Sequence, residues 1–255
     1  MLFIAIAVLI DMIAIGLILP VLPHIVGNFT PSKDVQTFWF GVTTFAFGVA
    51  NFFGAPMLGA LSDQYGRRPV LLVGFTGLAL GFFVTAAATA LWMIVVVRLF
   101  SGAMQANIAV ANAYVADITP PEDRARRFGV LGAMFGIGFI LGPALGGWLG
   151  AIDLRYPFVV AGVLALINTV YGVFVLPESL PADKRRAFDW QRANPIAALR
   201  GLSELRGVGP LVATIALSGL AQFTLYTTWV LYTHFKFGWG PAEVGTSLFV
   251  VGLMA

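Results

Sequence analysis

The sequence has few charges and no cysteine. Only 11% of its 255 residues are charged and 59% are apolar, whereas an ordinary soluble domain carries roughly 25% charged residues. With 15 Lys and Arg and 12 Asp and Glu, the chain cannot cover a water-soluble globule of this length with polar groups. The absence of Cys excludes disulfides, thiolate zinc sites and cysteine nucleophiles. We therefore predict that lipid, not water, surrounds much of the chain.

The apolar residues form long runs of about 20 residues, the length that a helix needs to cross a bilayer. The runs do not alternate as barrel strands do, so each is predicted to be a helix that satisfies its own backbone. An eighth run begins near Val244 and is still apolar at Ala255, so we expect the chain to be the front portion of a longer protein, without most of its C-terminal half. The seven complete runs, called spans 1 to 7, are Leu2–Val26, Phe38–Leu61, Val70–Ala88, Leu91–Val115, Phe128–Leu149, Pro157–Leu176 and Val208–Phe235.

These runs predict an all-α integral membrane protein in three parts. Residues 1–176 form a six-helix bundle, residues 177–207 a polar linker, and residues 208–255 the seventh helix and part of the eighth. Within the linker, Asp189–Leu205 can form an amphipathic helix with Trp190, Ile196, Leu199 and Leu202 towards the lipid headgroups. A solvated tether without that role is the alternative.

The basic residues predict the orientation of the spans. Most of the 15 Lys and Arg residues follow spans 2, 4 and 6, whereas the loops after spans 1, 3, 5 and 7 contain only Lys33, Arg155 and Lys236. Because basic loops stay on the cytoplasmic side, the N-terminus and the linker are predicted to be cytoplasmic.

Two charges fall inside predicted spans. Asp11 lies in span 1 and Arg98 in span 4, at depths that agree within the reach of long side chains. An ionised group near the bilayer centre costs about 2.5 to 3.5 kcal/mol, so both side chains must face a cavity or a partner. We predict that they form a pair in which Asp11 carries a proton and Arg98 regulates it. A purely structural ion pair is the alternative.

Further polar residues in the same helices are candidates for a substrate cavity. Span 4 continues with Gln105, Asn107 and Asn112, and span 7 contains Gln222 well away from its aromatic end. Trp229 and Tyr232 at that end are equally well explained by an interfacial aromatic belt.

The loop after span 2 resembles a motif of the major facilitator superfamily. Gly59-Ala-Leu-Ser-Asp63-Gln64-Tyr-Gly66-Arg67-Arg68 matches G-x-L-[SA]-D-R-x-G-R-R, with Gln64 in place of the first basic residue. The resemblance implies a bundle built as a 3 + 3 inverted repeat, in which spans 1 and 4 line a central cavity. It also implies a cytoplasmic gate made of Asp63, Arg67 and Asp117, in which Asp63 engages the C-terminal half.

Span 5 carries a stripe of small residues that resembles the signature of the antiporter branch of that superfamily. The stripe reads Gly138-x-x-x-Gly142-Pro143-x-x-Gly146-Gly147. Small residues on one face let another helix backbone approach closely within lipid, and the proline favours a kink. The resemblance implies exchange rather than symport.

Stretches throughout the chain resemble the bacterial tetracycline/proton antiporters. They include Pro56 to Val73, Tyr114-Val-Ala-Asp117-Ile-Thr and Leu176-Pro-Glu178-Ser179. The resemblance implies a proton-coupled antiporter that exports a small lipophilic drug across the bacterial inner membrane. Those pumps carry an acid in span 3 where this chain has Gly81, so the substrate stays open.

Three alternatives to a drug exporter are open to this sequence. A facilitator or symporter for a sugar or small organic anion is disfavoured by the span 5 stripe, and the chain alone can be an inactive fragment. A membrane-embedded enzyme is disfavoured because the sequence lacks H-E-x-x-H, G-x-S-x-G and phosphate-loop motifs.

His24 and His234 are expected to be separate interfacial residues rather than a paired site. We expect no cofactor, metal or nucleic-acid partner; the expected partners are protons, lipid and a small substrate.

Overall fold

A computed structural model describes residues 1–105, 107–190, 193–204, 207 and 209–254. Within this part of the chain the regular structure is entirely helical, which confirms the predicted fold class. Seven stretches are long and apolar enough to cross a membrane: Leu2–Gly27, Lys33–Tyr65, Arg67–Ala86, Leu91–Asp117, Pro121–Ile152, Tyr156–Val175 and Gly209–Phe237. The helices are α1 (Leu2–Ile18), α2 (Leu22–Gly27), α3 (Lys33–Tyr65), α4 (Arg67–Ala86), α5 (Leu91–Met104), α6 (Asn107–Asp117), α7 (Arg124–Ile152), α8 (Tyr156–Val175), α9 (Pro195–Glu204), α10 (Gly209–Phe237) and α11 (Pro241–Met254).

Local sequence signals explain where several helices begin and end. Helix α3 is longer than the apolar run of span 2 because the Ser32 hydroxyl accepts a hydrogen bond from the Val35 amide, 3.4 Å away, and caps the start. It ends at Gly66, whose φ of 104° is a conformation that favours glycine. Span 1 is divided into α1 and α2, with Pro23 in the first turn of α2.

Span 1 is the central helix of the bundle. Helix α1 packs against α7 on one side and α8 on another, and most of its length is buried. Where α1 meets α8, the fully buried Asn168 donates a hydrogen bond to the Ala7 carbonyl oxygen, 2.9 Å away. The neighbouring helices pair as α3 with α5 and α4 with α8.

Small residues set the distance between helices. A Cβ placed on Gly16 would lie 2.9 Å from the Cα of Gly142, and one placed on Gly54 would lie 2.9 Å from the Cα of Ala103. Such spacing leaves no room for a methyl group, so these helices pack backbone to backbone. In lipid, this close packing replaces the hydrophobic drive that holds soluble helices together.

The linker contains the short helix α9, which is shorter than the amphipathic helix predicted there. Trp190 and Ile196 are exposed, as a membrane-facing side of this segment requires. Leu205 lies outside the described residues, and so do the side chains of Leu199 and Leu202, on which the rest of that prediction depended.

Candidate functional site

Arg67 joins two helix ends at the start of α4. Its Nη1 lies 2.6 Å from Asp63 Oδ1 at the end of α3, and its Nε lies 3.0 Å from Asp117 Oδ2 at the end of α6. Nη1 also donates to the Ser62 hydroxyl, 2.5 Å away. The Arg67 side chain is only 10% exposed, so these charge-assisted hydrogen bonds are partly shielded from water. The structure thus brings together Asp63, Arg67 and Asp117, the three residues for which the family resemblance implied a gate.

Glu178 completes this site from the segment after span 6. Its Oε1 accepts hydrogen bonds from the backbone amides of Arg67 at 2.8 Å and of Ser179 and Leu180 at 3.0 Å. A carboxylate beside the first amides of α4 is favourable because these amides have no partner within the helix. We name Asp63, Arg67, Asp117 and Glu178 the Arg67 cluster, and the side of the bundle that carries it the Arg67 end.

Sequence reasoning noted Glu178 only as part of a family resemblance and missed its place in the cluster. The sequence offers one signal for this role: Glu178 follows Pro177 directly after span 6. Span 6 ends on the same side of the membrane as span 2, so an acid at this point can reach the loop that contains Arg67. The Ser179 hydroxyl also donates to Asp117 Oδ2, 3.4 Å away, and the Arg186 amide donates to the Asp63 carbonyl oxygen, 3.0 Å away. The segment after span 6 is therefore fastened to the ends of spans 2 and 4.

Asp11 faces a small cavity inside the bundle. The residue is 3% exposed, and its Oδ1 has no hydrogen-bond partner among the described residues. The cavity has a volume of about 10 Å³, close to that of one water-sized probe. Asn107 is its other strongly polar wall, and the remaining walls are apolar: Val8, Met12, Leu71, Phe75, Ile108 and Ala111.

Asn107 is the predicted span 4 residue that shares the Asp11 cavity. It is 1% exposed, and neither Oδ1 nor Nδ2 has a hydrogen-bond partner in the described part of the chain. The absence of a side chain on Gly74 of α4 makes room for its amide group. A buried amide without partners is costly, so its position beside an acid points to a functional role.

Arg98 does not pair with Asp11, so the ion pair predicted from the sequence is wrong. No ion pair joins the two within the described ranges; the guanidinium carbon of Arg98 instead lies 4.0 Å from the centre of the Phe47 ring. Its buried Nε has no hydrogen-bond partner among the residues described. The reason is the helix face: Gly102, one turn further along, packs against the Phe47 carbonyl oxygen of α3.

The other predicted cavity residues do not line the Asp11 cavity. Gln105 is partly buried at the end of α5, and Asn112 is exposed on α6. Gln222 is exposed on α10, where its Nε2 donates to the Tyr226 hydroxyl, 3.2 Å away. The structure therefore brings only Asp11 and Asn107 together from the two helices proposed to form a cavity.

The glycine and proline stripe on α7 packs against two helices. Gly138, Gly142 and Gly146 face α1: a Cβ placed on Gly142 would lie 2.6 Å from the Cα of Gly16, and one on Gly146 would collide with the Leu17 carbonyl group. Gly147 faces α11, where its Cβ would lie 2.9 Å from the Cα of Gly245. A Cβ on Gly245 would in turn collide with the Pro143 carbonyl oxygen, so α7 is held tightly between α1 and α11.

A large groove lies between α3 and α10. Its volume is about 790 Å³, and it is open on one side. Its walls are mainly aromatic, and threonine hydroxyls provide the polar groups: Phe40, Phe45, Phe52, Phe53, Phe223, Tyr232, Phe235, Thr37, Thr44, Thr227 and Thr228. Apolar walls with a few polar groups are typical of sites for small amphiphilic molecules. Gln222 does not line this groove, and the phenylalanines of span 2 were missed because they read as lipid-facing residues.

Gly81 stands where the family resemblance implied an acid in span 3. It lies on α4, where a Cβ would collide with the Ser101 hydroxyl oxygen of α5. The close approach of these two helices uses the space that a carboxylate would need, and the described residues place no charge at this point of the helix.

The fold, the Arg67 cluster and the Asp11 cavity define the class of this protein. It is a multi-pass helical membrane protein with a charged cluster at one end and a buried acid within the bundle. The chain belongs to the Major Facilitator Superfamily, whose sequence profile matches residues 4–255.

Relatives within this superfamily include tetracycline resistance proteins, which confirms the resemblance read from the motifs. The chain is 37% identical to the class C protein of Escherichia coli over 247 residues, covering 97% of this chain and 62% of that protein. It is 38% identical to the class G protein of Vibrio anguillarum over 242 residues, covering 95% of this chain and 61% of that protein. The chain thus spans about three fifths of the length of these relatives.

Solved structures share the fold. The crystal structure of the human organic anion transporter MFSD10 (TETRAN) is 27% identical, with a TM-score of 0.75 that covers 98% of this chain and 68% of that chain. A bacterial homologue of the human lysosomal transporter Spinster, in an inward-facing and unoccupied conformation, shares the fold at 17% identity with a TM-score of 0.70, covering 99% of this chain and 59% of that chain.

Proposed function

We propose that this chain belongs to a proton-coupled antiporter that exports a drug-like compound across the bacterial inner membrane. Its substrate class is that of tetracycline, the drug in the names of its relatives. The proposal rests above all on Asp11, a buried carboxyl group with an unpartnered oxygen, among the described residues, in the middle of the central helix. We propose that the function is transport and not catalysis.

Asp11 is suited to carry a proton because its surroundings change the balance between its two protonation states. An ionised carboxylate in the apolar Asp11 cavity is unfavourable, whereas one that faces water is stable. Asn107 can donate a hydrogen bond to the ionised form or accept one from the protonated form. A conformational change that opens the cavity to water on one side would therefore release the proton on that side.

Coupling requires that the proton and the drug favour different conformations. A ligand shifts a two-state equilibrium only by the difference between its affinities for the two states. We propose that drug binding between spans 2 and 7 favours one access state and protonation of Asp11 favours the other. Rigid-body rocking of helix groups around a central site is the general form of such a cycle.

The Arg67 cluster is proposed to be the gate on the cytoplasmic side. It joins the ends of spans 2 and 4, the start of span 3 and the segment after span 6 through one guanidinium and three carboxylates. Such a network has two clear states, with Arg67 paired or unpaired, which is what a switch needs. We propose, from the charge distribution of the loops, that this end of the bundle lies in the cytoplasm together with the N-terminus and the linker.

Inside-out membrane vesicles provide the test. Respiration acidifies the vesicle lumen, which carries a pH-sensitive dye. If the protein exchanges drug for protons, adding tetracycline raises the lumenal pH while radiolabelled drug accumulates. Vesicles without the protein serve as the baseline.

The outcome separates the proposal from its alternative. Drug accumulation with no change in lumenal pH, and at the same rate after the pH gradient is collapsed, would contradict antiport and indicate a facilitator. A panel of other lipophilic drugs in the same assay identifies the substrate if tetracycline produces neither signal.

A further inference from the structure

Two histidines from distant parts of the chain meet at the end of the bundle opposite the Arg67 cluster. His24 of α2 and His234 of α10 have ring centres 4.6 Å apart, with the planes at 67°. The expectation that the two histidines do not form a pair was therefore wrong. Spans 1 and 7 run in the same direction through the bundle, so their last turns lie at the same end.

Both rings are held in the same way by backbone carbonyl groups. His24 Nδ1 lies 3.0 Å from the Pro20 carbonyl oxygen, and His234 Nδ1 lies 3.0 Å from the Trp239 carbonyl oxygen. A carbonyl oxygen only accepts hydrogen bonds, so each Nδ1 carries the hydrogen. In the neutral rings, each Nε2 therefore has a free lone pair. His24 Nε2 is buried and has no hydrogen-bond partner in the described part of the chain.

We propose that His24 and His234 form a binding site for one divalent transition-metal cation, such as Ni²⁺, Cu²⁺ or Zn²⁺. A metal-binding histidine usually donates its other ring N–H to a carbonyl or carboxylate, which fixes the ring and its tautomer, as both rings here are fixed. Imidazole nitrogen is a preferred ligand of these three ions.

The spacing of the rings fits this role. With metal–nitrogen bonds of about 2.0 to 2.1 Å and a near-tetrahedral angle, two imidazoles on one ion have ring centres about 5 Å apart. The observed separation is 4.6 Å, close to this value. No group of three or more His, Cys, Asp or Glu residues suited to a metal occurs among the described residues, so water completes the coordination.

Several charged groups lie near this end. Lys33 of α3 lies with its Nζ 5.3 Å from the centre of the Phe235 ring, and Lys236 donates to the Tyr232 hydroxyl, 2.6 Å away. Glu243 of α11 accepts a hydrogen bond from the Gly240 amide, 2.9 Å away. The same end also carries Asp34, Asp153 and Arg155, so its three basic and three acidic residues balance, and binding depends on the two imidazoles and not on bulk electrostatic attraction.

A bound ion would clamp the end of span 1 to the end of span 7. Most of the described residues of helix α10 are exposed, and one of its other contacts is the hydrogen bond from Trp229 Nε1 to the Ser247 hydroxyl of α11, 3.0 Å away. If the helices separate at this end during transport, a metal clamp slows transport from this side. This consequence rests on the proposed function, whereas the binding site itself does not.

The test titrates Ni²⁺ alone into the purified chain in lipid nanodiscs, with no polyhistidine tag, by isothermal titration calorimetry. The sequence contains two His and no Cys, so competing soft ligands are few. We expect one ion per chain. His24→Ala and His234→Ala should each weaken binding at least about tenfold, because each removes one arm of a two-point attachment. Lower pH should weaken binding to the wild type, because protons compete for the same nitrogens.

Asp153→Asn is the matched control, since Asp153 is an exposed acid in the loop between α7 and α8 and should not change the affinity. Electron paramagnetic resonance of bound Cu²⁺ gives a second measurement that counts coordinated imidazoles directly: two in the wild type and one in each variant. Equal Ni²⁺ affinity in the wild type and both histidine variants, or a Cu²⁺ spectrum with fewer than two imidazoles in the wild type, would overturn the site. Binding without any transport activity would leave the site standing and contradict the proposed function instead.

Discussion

At the scale of single residues, the proposed mechanism depends on the contrast between two buried charges. Asp11 lines a cavity with Asn107, whereas Arg98 lies against the Phe47 ring on another face of the bundle. A guanidinium over an aromatic face is stabilised without a carboxylate, which explains how Arg98 tolerates burial. Asp11 has no such partner among the described residues, so its charge is the one that the protein can switch.

Asp11→Asn should abolish proton coupling and leave the protein in the membrane. Asparagine has nearly the same shape but cannot take up or release a proton, so tetracycline should no longer raise the lumenal pH of inside-out vesicles. Immunoblots of the membrane fraction measure the amount inserted, and Asp153→Asn serves as the control. Full coupling in the Asp11 variant would exclude this residue as the proton carrier.

Arg67→Lys should weaken the cluster although the charge is kept. Lysine cannot reproduce the planar fork that contacts Asp63, Asp117 and the Ser62 hydroxyl together, so we expect a loss of about 1 to 3 kcal/mol. The melting temperature should fall by several degrees when followed by tryptophan fluorescence in detergent. Arg126→Lys, at an exposed position of α7, is the control and should melt with the wild type.

Sequence reasoning predicted the residues of the Arg67 cluster better than those of the cavity. The loop motif fixes Asp63 and Arg67 within five residues of chain, and span direction alone brings Asp117 to the same end. The error at Arg98 arose because agreement in depth says nothing about helix face. Asp11 and Arg98 meet only if α1 and α5 turn these faces towards each other, and the packing of Gly102 on α3 prevents that.

At the scale of helices, α7 determines how the bundle holds together. Its stripe of small residues contacts α1 at three positions between Gly138 and Gly146, and α11 near Gly147. The sequence identified the stripe because glycine at every third or fourth position lies on one face. It did not reveal that two faces are used, because Gly146 and Gly147 are neighbours in the chain and point to different helices.

Gly146→Leu should separate α7 from α1. The new side chain would occupy the position of the Leu17 carbonyl group, and rigid backbone cannot give way as a side chain does. We expect reduced amounts of folded protein by fluorescence-detected size-exclusion chromatography. Gly136→Leu on the same helix is the matched control, since nothing lies within 4 Å of a Cβ there. Equal yields from the two variants would contradict the packing.

At the scale of the whole molecule, the positions of the spans could be predicted from the composition. An apolar segment in lipid must satisfy its own backbone hydrogen bonds, and a helix does so. Boundaries were less predictable: the Ser32 cap extends α3 beyond its apolar run, and a separate helix with Pro23 in its first turn follows α1. The groove between α3 and α10 was also missed, since hydropathy does not distinguish a phenylalanine that faces lipid from one that faces a substrate.

The predicted orientation can be tested because the chain has no native cysteine. Asp153→Cys and Asp183→Cys each place one thiol at an exposed position, in the loop after span 5 and in the linker. In intact cells, a membrane-impermeant maleimide should label the first variant and not the second. After permeabilisation both should react, and the reverse pattern in intact cells would invert the topology.

The double-sided contact of α7 also has a consequence for how this gene can change. Every single-nucleotide substitution that alters the amino acid of a glycine codon introduces a side chain at least as large as a methyl group or creates a stop. At Gly146 and Gly147 no such side chain has room. Single-nucleotide changes at these two codons should therefore be lost under selection for folding. After random mutagenesis, nearly all variants selected for folded protein should keep both glycines.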